Sequence, residues 1–250
     1  MFSRSLVLTL AALFFAALPT AASAEQRTAS ATGIANVQGA DAYVEVFVQV
    51  PEGQSARQAA EAALADQGAL PQQPPGPGGP GFTGLVWDAL PVAQNYNPFG
   101  EPVPAESPLG ATQAAWSRLP GSDFEFMYGG PTSRCPSIVR ECPGPQVLDR
   151  RNDVGWLPLP PNTLGVTWST IGGWDEADMA LSTRVPWNTG CTNIGGSFDV
   201  QTVLLHENGH VAGLGHASSP SSVMYPSYLG ARCSVGALDQ QAIRALYPQG

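Results

Sequence analysis

The spacing of apolar side chains predicts strands at several places in the chain. Residues 42–50 alternate Val and Phe with other side chains, which is the two-residue period of a half-buried strand. Residues 164–170 and 177–183 are rich in apolar and small side chains and predict two further strands. Weaker strand patterns cover residues 85–96 and 124–128.

Polar capping residues and glycine stops predict four helices. They are residues 56–67 between Ser55 and Gly68, a helix from Ser107 through Trp116, a helix that Asp199 caps and that carries Val200 to Leu214, and residues 238–247. Strands and helices that follow one another irregularly, with long Gly- and Pro-rich loops, are typical of the α+β class. We therefore predict an α+β fold.

The first 24 residues have the pattern of a secretory signal peptide. Arg4 precedes an apolar run over residues 6–18, and residues 22–24 are the small residues that a signal peptidase accepts. The run is too short to span a bilayer, and no second long apolar stretch follows it. We therefore expect cleavage after Ala24 and a secreted, extracellular protein without a stable membrane anchor.

Composition divides the remaining chain into three parts. Residues 25–70 form a small N-terminal β-α segment, of which residues 25–35 are small and polar and predict a mobile terminus. Residues 71–81 are rich in Pro and Gly and predict a linker. Residues 82–250 form the larger domain. We expect the N-terminal segment to be a removable propeptide, and the alternative is a permanent appended domain.

The charge balance excludes one class of partner. The 250 residues include 20 acidic and 11 basic side chains, and the formal net charge is −9. Nucleic-acid binding needs a basic face for the phosphates, so nucleic acid is not an expected partner. We expect a monomer.

Four cysteines follow the signal peptide, at Cys135, Cys142, Cys191 and Cys233. An even number of cysteines in an exported chain is typical of disulfides, and the chain has no Cys-x-x-Cys pair for a thiolate metal or redox site. Four cysteines allow three pairings. We favour a short local loop between Cys135 and Cys142 and a long-range bridge between Cys191 and Cys233.

All three histidines of the chain fall in one eleven-residue stretch, HENGHVAGLGH. On a helix, His206 and His210 lie on one face a turn apart, so both can bind the same ion. Gly213 can take the left-handed conformation that ends the helix, which lets His216 approach the ion from another direction. Three nitrogen ligands leave a fourth position open, as in catalytic zinc sites. Glu207 follows the first ligand, where it can act as general base on a water molecule.

This motif and the downstream sequence SVMYPSY resemble the metzincin zinc metalloproteases and, among them, the matrixins, as a secreted member of the microbial type. The resemblance implies a metzincin-type zincin domain, with a twisted mixed β-sheet, an active-site helix that carries the zinc ligands, and a C-terminal helix. It implies that Met224 forms the Met-turn beneath the zinc. It also implies that Pro226 and Tyr228 line the pocket for the residue after the scissile bond.

The same resemblance implies an edge strand, at residues 164–168, along which substrates lie. Its substrate-contacting residues would be Leu164, Gly165 and Val166. Matrixins usually hold a second, structural zinc through further histidines, but no histidine remains in this chain and Val166 stands where one ligand is expected. We therefore predict one catalytic zinc ion and no structural zinc.

Two further expectations concern acidic side chains. Calcium is a weaker candidate cofactor, through Asp153, Asp175, Glu176 or Asp178, and we favour the alternative that these are solvated surface carboxylates. Animal matrixin propeptides block the zinc with a cysteine, but residues 25–81 contain none. Inhibition by this segment would then require steric cover of the cleft or a carboxylate that reaches the metal.

The motif and the export signal together predict a secreted zinc endopeptidase that hydrolyses internal peptide bonds of extended protein segments, with Glu207 as general base. A substrate would add as a strand beside residues 164–168. Two alternatives stay open: a non-catalytic binding module on the same fold, and a zinc hydrolase for small amides or esters. Chelator-sensitive digestion of casein or gelatin separates them.

Overall fold

The computed structural model describes residues 27–72, 81–172 and 175–250. The predicted signal peptide and residues 73–80 of the predicted linker lie outside the described residues. The strands of the described part are β1 (Thr28–Val37), β2 (Ala40–Gln49), β3 (Leu70–Pro71), β4 (Val92–Tyr96), β5 (Phe126–Pro131), β6 (Asp153–Leu157), β7 (Thr163–Thr170), β8 (Ala177–Ser182), β9 (Trp187–Asn188) and β10 (Phe198–Asp199). The helices are α1 (Ala56–Asp66), α2 (Glu106–Trp116), α3 (Val200–Val211) and α4 (Ala237–Leu246).

Eight of these strands form one mixed sheet, in the order β3-β1-β2-β7-β8-β6-β4-β5. The neighbours from β3 to β8 in this order are antiparallel, whereas β8, β6, β4 and β5 are parallel neighbours. Strands β9 and β10 form a separate short parallel pair. The prediction of an α+β fold with a mixed sheet is confirmed.

The sheet carries a hydrophobic core on each face, because successive side chains of a strand point to opposite sides. Strand β2 illustrates the division. Val44 and Val46 pack in one core with Leu64 of helix α1. Phe47 belongs to the other core, which contains Leu204 and further residues of helices α2 and α3. The two helices pack against each other, and α3 also contacts β7 and β8.

Local capping explains where two of the helices begin. Asp199 accepts a hydrogen bond from the backbone N–H of Thr202 at 2.8 Å, so the predicted cap of α3 is confirmed. Ser55 and Gln58 form the reciprocal capping box of α1. The prediction that Ser107 caps α2 is wrong, because the N-cap of this helix is Ala105, which has no side-chain oxygen to offer.

The N-terminal residues are more ordered than their composition predicts. Strand β1 pairs with β2 along its whole length, so the expectation of a mobile terminus is wrong for the described residues. The sequence of β1, TASATGIANV, has few large apolar side chains and no regular alternation, so it does not show the usual strand pattern. The sequence pattern also predicts no strand at residues 153–157, where β6 pairs with β8 and β4 in the interior of the sheet.

The sequence predicts an edge strand at residues 164–168, but β7 is an interior strand in this chain. Strand β8 pairs with one side of β7, and β2 pairs with the other side from Ala42 opposite Thr170 to Val48 opposite Thr163. Residues 27–72 thus extend the sheet of the larger domain. The expectation of an edge strand fails because it took no account of a partner strand from the N-terminal segment.

Two disulfides tie the loops of the larger domain. Cys135 is joined to Cys142 and Cys191 to Cys233, with Cα–Cα distances of 5.8 and 6.0 Å, which is the pairing that we favoured. The second bridge links the loop before α3 to the segment before α4. Among the described residues, every helix is too short or too polar to cross a membrane.

Candidate active site

Helix α3 and the turn after it bring the three histidines together. The Nε2 atoms of His206 and His210 are 3.1 Å apart, and both side chains are buried. Gly213 has a φ of +92°, and a Cβ atom there would lie 2.3 Å from the carbonyl oxygen of Leu85, so only glycine fits this turn. The turn places the ring of His216 with its centroid 5.4 Å from that of His206 and 5.0 Å from that of His210.

Backbone carbonyls orient two of the three imidazole rings. His206 Nδ1 lies 2.7 Å from the carbonyl oxygen of Val223, and His210 Nδ1 lies 2.8 Å from that of Leu214. A carbonyl oxygen only accepts, so each Nδ1 carries the hydrogen and each Nε2 keeps its lone pair for an ion. Burial lowers the pKa of His210 and of His216, which favours the neutral form that binds metals.

A fourth potential ligand comes from strand β2, which sequence reasoning did not connect with the histidines. Glu45 Oε1 lies 3.5 Å from His216 Nε2 and 3.9 Å from His206 Nε2. Burial alone would raise the pKa of Glu45, but its contacts with His206 and His216 and the charge at His210 outweigh burial and hold the pKa below its ordinary value. The one available signal was an acidic residue in the middle of an otherwise apolar strand.

The four side chains fit a zinc ion. Zinc–nitrogen bonds of about 2.0–2.1 Å in a tetrahedron separate the ligand atoms by about 3.3–3.4 Å, and the three distances given above lie on both sides of this value. Both carboxylate oxygens of Glu45 and the Nε2 atom of His216 are buried without a hydrogen-bond partner. Among the described residues, this is the one cluster of three or more His, Cys, Asp or Glu ligand atoms within 4.8 Å of one another.

Glu207 lies beside the cluster, in a position set by strand β7. Its Oε2 atom accepts a hydrogen bond from Thr167 Oγ1 at 2.5 Å, and its Oε1 atom has no partner. A Cβ atom on Gly165 would approach Oε1 to 3.1 Å, so the glycine leaves room for the carboxylate. Burial raises the pKa of Glu207 well above its ordinary value, and the negative charge of Glu45 raises it further.

Met224, the residue predicted for the Met-turn, lies against helix α3, which carries His206 and His210. The side chain is almost fully buried, and its sulfur lies against Gly209 of helix α3. The backbone carbonyl of Met224 also accepts a hydrogen bond from the N–H of Ala217 at 2.9 Å, next to His216. The turn therefore packs beneath the histidine cluster and holds the loop that carries His216 in place.

A pocket lies next to His206, on the side of the loop after Met224. Tyr228 lines it, and a hydrogen bond from the backbone N–H of Asp199 to the Tyr228 hydroxyl at 3.1 Å fixes its ring. Pro226 does not line this pocket, although it is adjacent in sequence. The side chain of Phe47 also borders the pocket, and the free space that remains is about 20 Å³.

The three predicted contact residues of strand β7 have different surroundings. Leu164 packs in the core beneath helix α3, and Gly165 lies against Glu207. Val166 belongs to the opposite core, beneath helix α1, so its side chain points away from the histidine cluster. The backbone of β7 adjoins the site, but Val166 contributes no side chain to it.

The candidate calcium ligands are bound to other protein groups. Asp153 forms a two-pronged ion pair with Arg134, at 2.9 Å for each hydrogen bond. Asp178 accepts backbone hydrogen bonds from Asp153 at 2.7 Å and from Ile138 at 3.0 Å, and burial raises its pKa. Glu176 accepts the backbone N–H of Arg150. The expectation that these were solvated surface carboxylates is wrong for these three, which are buried, while Asp175 is partly exposed.

Comparison with known proteins gives a match to a family model and a partial match to a known protein. Residues 162–248, which include strand β7, the histidine cluster and helix α4, match the family model described as Matrixin. Matrix metalloproteinase-25 of Mus musculus is 48% identical over 55 residues, which are 22% of this chain and 9% of that protein. The matched region is therefore less than a tenth of that relative. Both similarities support a matrixin-like region and, in general terms, a metalloprotease.

Proposed function

We propose that the protein is a secreted zinc-dependent endopeptidase that hydrolyses peptide bonds within extended segments of proteins. One observation carries the proposal: three buried imidazole nitrogens converge, and the carboxylate of Glu207 lies beside them with one oxygen unpartnered. The similarity of residues 162–248 to matrixins supports the same reaction.

In this proposal, His206, His210 and His216 hold the zinc ion. When bound, zinc supplies Lewis-acid chemistry, which polarises a carbonyl group and makes water acidic enough to attack at neutral pH. Glu207 accepts the proton of the attacking water on Oε1, the oxygen that has no other partner, and delivers it to the leaving amine nitrogen. Thr167 holds the other carboxylate oxygen, so it keeps Glu207 turned toward the cluster.

The substrate would bind as a strand on the side of β7 that faces away from β8, in the place that β2 takes in this structure. Main-chain hydrogen bonds would then provide affinity for any extended segment, whatever its sequence. The pocket beside His206 and Tyr228 would provide selectivity, because it is bordered by a ring and by apolar side chains. This geometry favours protein or peptide substrates over small amides or esters, which cannot pair with a strand.

The proposal is tested with denatured casein and with small ester and amide substrates. The full-length protein is assayed intact and after mild treatment with a second protease that is then inhibited, and mass spectrometry maps the cut sites. We expect casein cleavage that a chelator abolishes and that the Glu207→Ala variant lacks. Activity on small substrates alone would identify a small-substrate hydrolase, and zinc binding without any hydrolysis would identify a binding module.

A further inference from the structure

Strand β2 lies where an extended substrate would have to bind. It pairs antiparallel with β7, and the opposite side of β7 is already occupied by β8. An incoming peptide can therefore pair with β7 only along the side that β2 covers. The N-terminal segment and a protein substrate compete for the same backbone groups.

The alternate side chains of β2 point at the histidine cluster. Tyr43, Glu45 and Phe47 share one face of the strand because side chains alternate. The ring centroid of Tyr43 lies 6.0 Å from that of His210, and the centroid of Phe47 lies 5.0 Å from that of His206. Glu45 lies between Tyr43 and Phe47 on this face. The face therefore presents one carboxylate to the histidine cluster, with an aromatic ring on each side.

Glu45 is a buried acid whose carboxylate faces the imidazoles of His206 and His216. The residue is fully buried, and neither carboxylate oxygen has a hydrogen-bond partner. The neighbouring Glu207 adds a second buried carboxylate, and its Oε1 atom also has no hydrogen-bond partner. Buried carboxylates are costly unless they are paired or bound to a metal. A divalent ion coordinated by Glu45 would balance this charge.

Phe47 borders the pocket that the proposed function assigns to the substrate. Its side chain is almost fully buried beside His206, at the mouth of the space that Val223 and Tyr228 also line. Strand β2 therefore presents to the site what a bound peptide would present: a paired backbone, and an apolar side chain at the border of the selectivity pocket. The addition of a carboxylate at the metal distinguishes it from an ordinary substrate.

Strand β1 binds the N-terminal segment to the loop that forms the pocket wall. The backbone N–H of Tyr228 donates to Thr28 Oγ1 at 2.5 Å, and Ser227 Oγ donates to the carbonyl oxygen of Thr28 at 3.0 Å. These contacts join the start of the described N-terminal segment to the loop that shapes the pocket. The segment thus covers the cleft at the metal, at the pocket and at the pocket wall.

We propose that residues 27–72 are an internal, substrate-like inhibitor in which Glu45 is the fourth ligand of the metal. This proposal rests on the proposed function as a zinc endopeptidase. Four protein ligands complete a tetrahedral site, so neither water nor a substrate carbonyl can reach the ion while Glu45 is bound. Activity then requires that β2 leave β7, which frees the metal, the pocket and the strand together.

The ligand role is tested by zinc affinity in the full-length protein. The Glu45→Gln variant keeps the size of the side chain and removes its charge, and the matched control is Glu52→Gln, an exposed acid of the same segment. Competition with a chromogenic chelator should show zinc binding at least tenfold weaker for Glu45→Gln and unchanged for Glu52→Gln. Equal zinc affinity of Glu45→Gln and the wild type overturns the ligand role, whatever the protease activity is.

The inhibitory role is tested with the casein assay, because a merely structural strand would not restrain activity. The double variant Glu45→Gln/Phe47→Ala should digest casein at least tenfold faster than the full-length wild type, and Glu52→Gln should match the wild type. If the protein opened by mild proteolysis digests casein but the double variant is no faster than the wild type, the inhibitory role is wrong. If no form digests casein, the proposed function is wrong, and zinc affinity alone then decides the role of Glu45.

Discussion

The sulfur atom of Met224 occupies the space that a side chain at Gly209 would need. A Cβ atom built on Gly209 would lie 2.1 Å from Met224 Sδ and 3.1 Å from Trp116 Cζ2. Gly209 precedes His210 in helix α3, so the packing of the Met-containing turn is transmitted directly to the residues that hold the cluster together. Glycine weakens a helix locally, but no larger residue fits at position 209 because helix α3 packs so closely against Met224.

The first prediction concerns this contact. Gly209→Ala should lower the free energy of unfolding by about 1–3 kcal/mol through overpacking, although alanine normally favours a helix. The matched control is Gly110→Ala in helix α2, where no atom lies within 4 Å of the added Cβ, and this change should raise the free energy of unfolding by roughly 0.5–1 kcal/mol. Urea unfolding measures both, and equal effects would show that packing against Met224 is not the reason.

The second prediction concerns metal content. The purified wild-type protein should contain close to one zinc ion per chain. His210→Ala should lose it on dialysis, because the two imidazoles and the Glu45 carboxylate that remain are one ligand fewer than in the wild type. Elemental analysis after dialysis measures the occupancy, and far-ultraviolet circular dichroism checks the fold. Full zinc occupancy in His210→Ala would place the metal elsewhere.

The third prediction separates the base from its support. Glu207→Gln should retain zinc and lose about 10²–10⁴-fold in the rate of casein cleavage. Thr167→Val removes the hydrogen bond to Glu207 and should cost about ten- to a hundredfold. Ser169→Ala is the control on the same strand, since its buried hydroxyl has no partner and its loss should leave the rate unchanged. All three variants are compared after opening by mild proteolysis, and near wild-type activity of Glu207→Gln would require another base.

The fourth prediction compares the two disulfides. Replacing Cys191 and Cys233 by Ser should lower the free energy of unfolding by about 4 kcal/mol, and replacing Cys135 and Cys142 by about 2.5 kcal/mol, because the longer loop restricts the unfolded chain more. Non-reducing peptide mapping checks the pairing. A peptide that links Cys135 to Cys191 would contradict it.

The fifth prediction concerns pH. Burial raises the pKa of Glu176 from an ordinary value of 4.5 to about 7. The folded protein therefore binds a proton here that the unfolded chain has released, so the stability from this group is complete below pH 4.5 and is lost as the pH rises to 7. Urea midpoints over this range should fall less steeply for Glu176→Gln than for the wild type. Parallel pH profiles would show that Glu176 does not titrate differently on folding.

Sequence reasoning worked where the information is local. The positions of His206, His210 and His216 follow from the helical repeat and from one glycine turn, and each can be recognised within a few residues. The cap at Asp199 is equally local. Residues 177–183 were recognised as a strand from their small and apolar side chains, and every residue of β8 is buried, as in an interior strand.

The role of Glu45 could not be predicted in the same way. The alternation of β2 shows which residues share a face, but nothing in the strand says what that face meets, because its partner β7 is far away in sequence. The buried acids Asp153 and Asp178 were misjudged for a related reason. Their partners are Arg134 and backbone N–H groups, which only the assembled sheet brings within reach.

The second hydrophobic core has a consequence for the proposed release of residues 27–72. Val166 and Trp168 of strand β7 are shielded from water by side chains of β2 and α1, and Trp168 also donates a hydrogen bond to Gln67. Departure of residues 27–72 would expose this side of the sheet to solvent. The exposed apolar patch would favour aggregation. An activated molecule would therefore be shorter-lived in solution than its precursor, so that release from inhibition also sets a limit on how long the activity lasts.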